Sequence, residues 1–410
     1  MSLIKIFTLS LLSISVAYAH DDVSPLPNNI EAAADAGTPV VETHKLELFA
    51  GVGLQSLHGA KAYPAARLPG VLEAGSARSD QRGDGLDFAE IGARMRFLPN
   101  LLGQLNFARH GGKGGTNEVD QAWLNFNDSV AAHDYSTRVG RQLVPLGLLN
   151  LQHAHTRDFC IAPLTLRSMV NDGWRADGVR FDADLGAGFA AGVGTWMQQG
   201  FPGTVSNKPD MHSARLAWSN PQLKLEAGYV HTAINQRALS TVGLAGHTHS
   251  VPTCTIASAT LVCLQGAANI WTLAGRWQAD ANSVWLSAEY WHKRESGVLS
   301  SNFGKPNYQG DTNGGWLEVG YPVLANLQVL ARSEKLVAKH ALVGTNAALV
   351  ATQAGIFNSS QPLSSQAVAV RWQPYPEHHL SAEWTQQNLG ANNLSVYLLR
   401  YQMEFSIGVL

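Results

Sequence analysis

The feature that most constrains this chain is a repeated unit of two alternating segments joined by a tight turn. Residues 88–98 (FAEIGARMRFL) alternate apolar and polar side chains, Pro99-Asn100 turns, and 101–109 (LLGQLNFAR) alternate again. The unit returns as 118–128 with 135–144, 177–183 with 187–196, and 211–219 with 222–232 around Asn220-Pro221. It returns further as 269–278 with 283–293, 314–322 with 327–336, and 365–373 with 378–388. Single segments at 45–54 and 394–408 complete sixteen expected strands. A period of two gives a strand with two unlike faces, so the predicted fold class is all-β.

The connections sort by length. Alternate ones are short turns, and the others are loops at 55–87, 110–117, 145–176, 197–210, 233–268, 294–313, 337–364 and 389–393. Turns on one side and loops on the other predict a transmembrane antiparallel β-barrel of about 16 strands, with the turns periplasmic and the loops external. Such a barrel encloses a lumen wide enough for water.

Strand parity sharpens this reading. If the apolar set faces lipid, Ala89, Ile91, Ala93, Met95 and Phe97 point outward, and Glu90, Arg94 and Arg96 point inward. Every strand that runs toward the periplasm then ends on an outward aromatic: Phe97, Phe126, Phe181, Trp218, Trp277, Tyr321, Trp372 and Phe405. That is the girdle expected at a headgroup boundary. A soluble sandwich would instead have to wet one face of every strand, a face rich in Arg and Glu.

Composition removes other classes. With 29 Lys+Arg against 31 Asp+Glu there is no basic field for nucleic acid. No apolar run reaches the 18 or so residues of a membrane-spanning helix. Lys5, the apolar stretch 6–17 and Ala17-Tyr18-Ala19 predict a signal peptide at 1–19. Residues 20–44 read as a flexible periplasmic lead-in, leaving 45–410 for the barrel. Glycine-rich phosphate loops, paired-Cys zinc spacing and Gly-x-Ser-x-Gly elbows are absent from the sequence, so neither an enzyme nor a cofactor is predicted.

Residues 138–148 read Arg-Val-Gly-Arg-Gln-Leu-Val-Pro-Leu-Gly-Leu and are followed, after a long segment, by Asp177-Gly178-Val179-Arg180-Phe181. This pair of motifs resembles the phosphate-selective porin (porin O/P) family of Gram-negative outer membranes. The resemblance implies an outer-membrane, 16-stranded barrel in contact with lipid, often a homotrimer, whose third loop folds into the channel. Here that loop is 145–176. The implied function is passive diffusion of small hydrophilic solutes or inorganic ions. The family's phosphate preference rests on lumenal Arg and Lys ladders, whereas inward Glu90, Asp182, Glu226, Glu289, Glu318, Glu334, Glu383 and Glu404 make this wall mixed.

The candidate pore-lining residues are Arg94, Arg96, Arg138, Arg180, Arg215, Glu226, Arg276, Glu318 and Arg371 on the wall, with Arg157, Arg167 and Arg175 in the loop. The loop arginines either face acids across the opening or pair within the loop and hold it to the wall. His153-x-His155 and His247-x-His249 have metal-like spacing but no evident third ligand, so they read as exposed and no metal is predicted. Cys254 and Cys263 read as a disulfide stapling their loop, and Cys160 stays unassigned. The competing functions are a non-conducting structural or partner-binding barrel and, behind it, a barrel hydrolase.

Overall fold

The computed structural model describes residues 46–59, 76–77, 83–111, 116–130, 133–198, 200–239, 244–245, 254, 262–280, 282–356, 362–390 and 392–409. The segments assigned to a signal peptide and lead-in, and the pair His247 and His249, lie outside them.

Sixteen strands form one closed antiparallel barrel in sequence order. They are β1 (Leu46–Gly59), β2 (Gly83–Leu98), β3 (Leu101–His110), β4 (Thr116–Val130), β5 (His133–Leu143), β6 (Arg175–Gly186), β7 (Phe189–Gln198) and β8 (Met211–Ser219). They continue as β9 (Leu223–Leu239), β10 (Val262–Gln278), β11 (Trp285–Ser300), β12 (Asn307–Leu324), β13 (Leu327–Val343), β14 (Leu363–Tyr375), β15 (His378–Leu389) and β16 (Asn392–Val409). Closure comes from β1 against β16, in register from Leu46 opposite Val409 to Gly59 opposite Val396. Closing removes both sheet edges, so each strand's backbone groups meet a neighbour's.

The predicted parity holds. Ile91 is 64% exposed, and Phe97 and Tyr321 are also open on the outer surface, while Glu90 is buried on the inner one. Seven of the eight girdle aromatics are exposed outward and Trp218 is half-buried beside Phe189. An outer face of Leu, Ile, Val and aromatic side chains is stable only against hydrocarbon. This is the surface of a membrane-spanning barrel. No helix of the described residues is long and apolar enough to cross a membrane.

Three expectations change. Most strands run further on the loop side than their alternation suggested: the expected loop 294–313 is largely the ends of β11 and β12, and 337–343 belongs to β13. The reason is a reversal of polarity. Above the lipid belt the outward positions are Gln309, Asp311 and Asn313 while Tyr308 and Thr312 turn inward, so an apolar-out pattern stops where the strand does not. Second, two short helices interrupt the loops, α1 (Leu164–Val170) between β5 and β6 and α2 (Ala347–Ala354) between β13 and β14. Third, Arg175 opens β6 and is not part of the preceding loop.

Candidate channel constriction

The segment 144–174 between β5 and β6 is the longest fully described connection, and its composition decides its path. Leu146, Leu164, Leu166, Met169, Val170 and Trp174 are too many apolar side chains for a loop lying in water. They pack instead inside the barrel against Val230, Ile270, Trp291, Trp316 and Leu336, which hold inward positions on β9 to β13. Each such side chain contributes roughly 1.5–3 kcal/mol on burial, so apolar packing is the main force drawing the loop inward. The signal was present in the sequence: these wall residues break the polar-in rule at one height.

The neck of the loop is clamped by Asn150, which is fully buried. Its Nδ2 donates to the Val144 carbonyl at 2.8 Å, and its Oδ1 accepts from the Trp174 N–H at 2.7 Å. Val144 N–H donates to the Trp174 carbonyl at 2.9 Å beside them.

The far wall then satisfies the loop's backbone. Glu289 of β11 accepts from Leu149 N–H at 2.7 Å. Glu383 of β15 accepts from Cys160 N–H at 2.7 Å and Ile161 N–H at 3.2 Å. Glu334 of β13 accepts from Leu164 N–H at 2.6 Å, at the start of α1. Cations complete the set: Arg332 donates to the Ile161 carbonyl at 2.6 Å, Arg400 to that of His155 at 3.2 Å and Lys293 to that of Ser168 at 3.3 Å. Irregular backbone inside a barrel needs such partners. The inward Glu and Arg of β11 to β16 thus serve the loop.

The predicted residues divide accordingly. Arg157 is buried and pairs with Asp172 inside the loop at 3.2 Å, and Arg175 pairs with Asp120 of β4 at 2.6 Å. Arg167 is half-buried, 3.5 Å from Gln387. Arg180 with Asp182 at 2.6 Å, Arg215 with Glu226 at 2.7 Å, and Glu318 with Arg332 at 3.5 Å are buried wall pairs. Arg94, Arg96, Arg138, Arg276 and Arg371 keep part of their side chains open. Arg138 lies over Trp123 at 4.1 Å, Arg276 over Trp285 at 4.2 Å, and Arg96 donates to the Pro99 carbonyl at 2.9 Å beside its turn.

Asp158, at the loop's tip, bridges Arg276 at 3.3 Å and Arg371 at 2.8 Å. The sequence marks Asp158 as one of the loop's charged residues expected to pair with the loop arginines; its partners are instead wall arginines of β10 and β14. Cys254 and Cys263 are joined by a disulfide with Cα atoms 5.5 Å apart. His153 and His155 correct the expectation of exposed imidazoles: they are 2% and 3% exposed, against Asp120 and Glu90 of the wall.

No family profile and no curated protein matches the sequence. Solved structures do. The anion-selective porin from Comamonas acidovorans superposes with a TM-score of 0.57 at 13% identity, covering 88% of this chain and 99% of that one. The outer-membrane channel DcaP of Acinetobacter baumannii gives 0.56 at 10%, covering 88% and 97%. A trimer form of OmpT, an outer membrane protein of Vibrio cholerae, gives 0.55 at 10%, covering 88% and 99%. With sixteen antiparallel strands, a lipid-compatible outer face and these likenesses, the chain has the fold of an outer-membrane porin.

Proposed function

We propose that the protein is a non-enzymatic outer-membrane channel for passive diffusion of small hydrophilic solutes or ions, narrowed by the inserted segment 144–174. The observation that carries this reading is the division of inward charge. Arg94, Arg138, Lys224, Arg276 and Arg371 keep part of their side chains open on the inner face, while Arg215, Lys293, Arg332 and Arg400 together with Glu226, Glu289, Glu318, Glu334 and Glu383 are taken by buried pairs or by the loop backbone. Partly open carboxylates there include Glu47, Asp87, Glu118, Asp158 and Glu404. The water-facing wall is therefore mixed in sign, as the sequence is, and selects charge weakly.

Such a wall passes small anions and cations with little preference. The resemblance on 138–148 and 177–181 is to a phosphate-selective family, yet the Arg276–Asp158–Arg371 bridge breaks a continuous basic ladder, so a weakly selective channel fits better than phosphate specificity. Reversal potentials across a tenfold KCl gradient test the point: a value near zero is expected, shifted toward cation preference in Arg371→Gln. A strongly anion- or cation-selective wild type would remove the reading.

One observation favours the other reading, a non-conducting or partner-binding barrel: the apolar cluster of loop and wall crosses the lumen. Planar-bilayer recording of the folded protein separates them. The trimer form of a similar fold supports a homotrimer in the lipid bilayer, which chemical cross-linking in outer-membrane vesicles would check.

A further inference from the structure

The loop meets β2 and β4 through two imidazoles whose chemistry the channel reading does not use. His155 Nε2 stands 3.2 Å from Glu90 Oε1, and the rings of His153 and His155 are 5.4 Å apart. One ligand-type atom from each of Glu90, His153 and His155 lies within 4.8 Å of the others, and all three side chains are buried. We propose that Glu90, His153 and His155 bind one Zn2+-class transition-metal ion that fastens the inserted loop to β2.

The donor set suits that class. Two imidazoles and one carboxylate match zinc and its neighbours and would be poor ligands for Ca2+ or Mg2+. Zinc bonds of about 2.0–2.1 Å place tetrahedral ligands roughly 3.4 Å apart, close to the Glu90–His155 separation, and side-chain torsions bring His153 the remaining way.

Neighbouring groups hold the ligands as a metal site requires. Gln121 Oε1 accepts from Trp123 Nε1 at 2.6 Å, which turns its amide nitrogen to His153 Nε2 at 2.5 Å. Nε2 therefore carries the lone pair, which the Gln121 amide now occupies and a bound metal would take in its place, and Nδ1–H points to Asp120 Oδ2 at 2.8 Å. A carboxylate behind the second ring nitrogen is the usual support of a metal-bound histidine. Glu90 is oriented in turn, its Oε2 accepting from Asn106 at 3.2 Å.

His155 supplies the independent observation. Although it is buried and stacked on Phe88 at 4.2 Å, neither ring nitrogen makes a hydrogen bond among the described residues. A nitrogen lone pair facing a carboxylate oxygen is repulsive unless a positive charge lies between them. Metal or proton can supply it. The adjoining group of His110, Glu118 and Asp120 is less suited, because Arg175 Nη2, 2.6 Å from Asp120, already provides its cation.

The test uses full-length protein in detergent, treated with chelator, desalted, and titrated with ZnCl2 by calorimetry, with metal content measured by plasma mass spectrometry after gel filtration. The expected result is about one zinc per chain, bound at least about 20-fold more weakly in Glu90→Gln and His155→Gln, about 10–100-fold more weakly in Asp120→Asn, and unchanged in a His247→Gln/His249→Gln variant. Less than a tenth of an equivalent in the wild type overturns the proposal. Undiminished binding in both ligand variants overturns it too, by placing the metal elsewhere. If those variants do not fold, Co2+ quenching of the wild type decides: quenching that disappears in Trp123→Phe supports the site, and identical quenching in both proteins contradicts it. The outcome is independent of whether the barrel conducts.

Discussion

Gly147 turns the chain from β5 into the lumen with a φ of +71°, and a Cβ there would overlap the Glu289 carboxylate and come within 2.9 Å of Trp291. Both the backbone and the space demand glycine. Gly147→Ala is expected to lower stability by about 1–3 kcal/mol, read as a lower urea midpoint of the heat-modifiable folded band on gels. Cys160 shows a different residue-scale effect: burial pushes its thiol up to about 11, the Arg400 guanidinium opposing. Raising a thiol's pKa depletes thiolate at neutral pH, and after allowing for greater intrinsic nucleophilicity an alkylation rate about 20-fold below that of an ordinary thiol is expected. Maleimide labelling at pH 7.5, native against urea-unfolded, checks it, and the gap should close as pH approaches that value. Individual roles of this kind were the least legible part of the sequence. Asn150 and Glu289 depend on partners 24 and 140 residues away, and no local pattern marks their roles; the His-x-His spacing marks His153 and His155 but not the wall carboxylates Asp120 and Glu90 that they meet.

At the scale of elements, the inserted loop is held by two kinds of force. Apolar packing brings it into the barrel, and carboxylates of β11, β13 and β15 fix its position through backbone N–H groups. A hydrogen bond to a charged acceptor contributes about 1.5–3 kcal/mol, so replacing Glu334 by Gln weakens the start of α1 without emptying the lumen. Glu334→Gln is expected to keep the barrel folded while increasing current noise and protease cleavage within 149–170; an unaltered cleavage rate would show that this contact does not hold the loop. The strands were legible because a period of two is dictated by the lipid on one side and the interior on the other. Their outer ends were not, since polarity reverses above the belt, as in Asn307–Asn313. The loop's destination was legible through the resemblance at 138–148, and it was also written in the inward Val230, Ile270, Trp291 and Trp316, which only make sense if something apolar meets them.

For the whole molecule, the central consequence is that inward charge and pore charge differ. Parity assigns a residue to the inner face but does not say whether water or the inserted loop reaches it. Buried pairs such as Arg215–Glu226 remove both signs equally, and so does the loop backbone, whose N–H groups take Glu289, Glu334 and Glu383 while its carbonyls take Lys293, Arg332 and Arg400, so the wetted wall stays mixed in sign. The same loop sets the width of any path. Single-channel recording of the wild type and of a variant with 149–166 replaced by a short Gly-Ser linker, both shown to be folded, tests this most directly. Discrete steps are expected in both, with conductance at least about twofold larger in the shortened variant; absence of steps in the wild type, or equal conductance in the two, would contradict a pore narrowed by the loop.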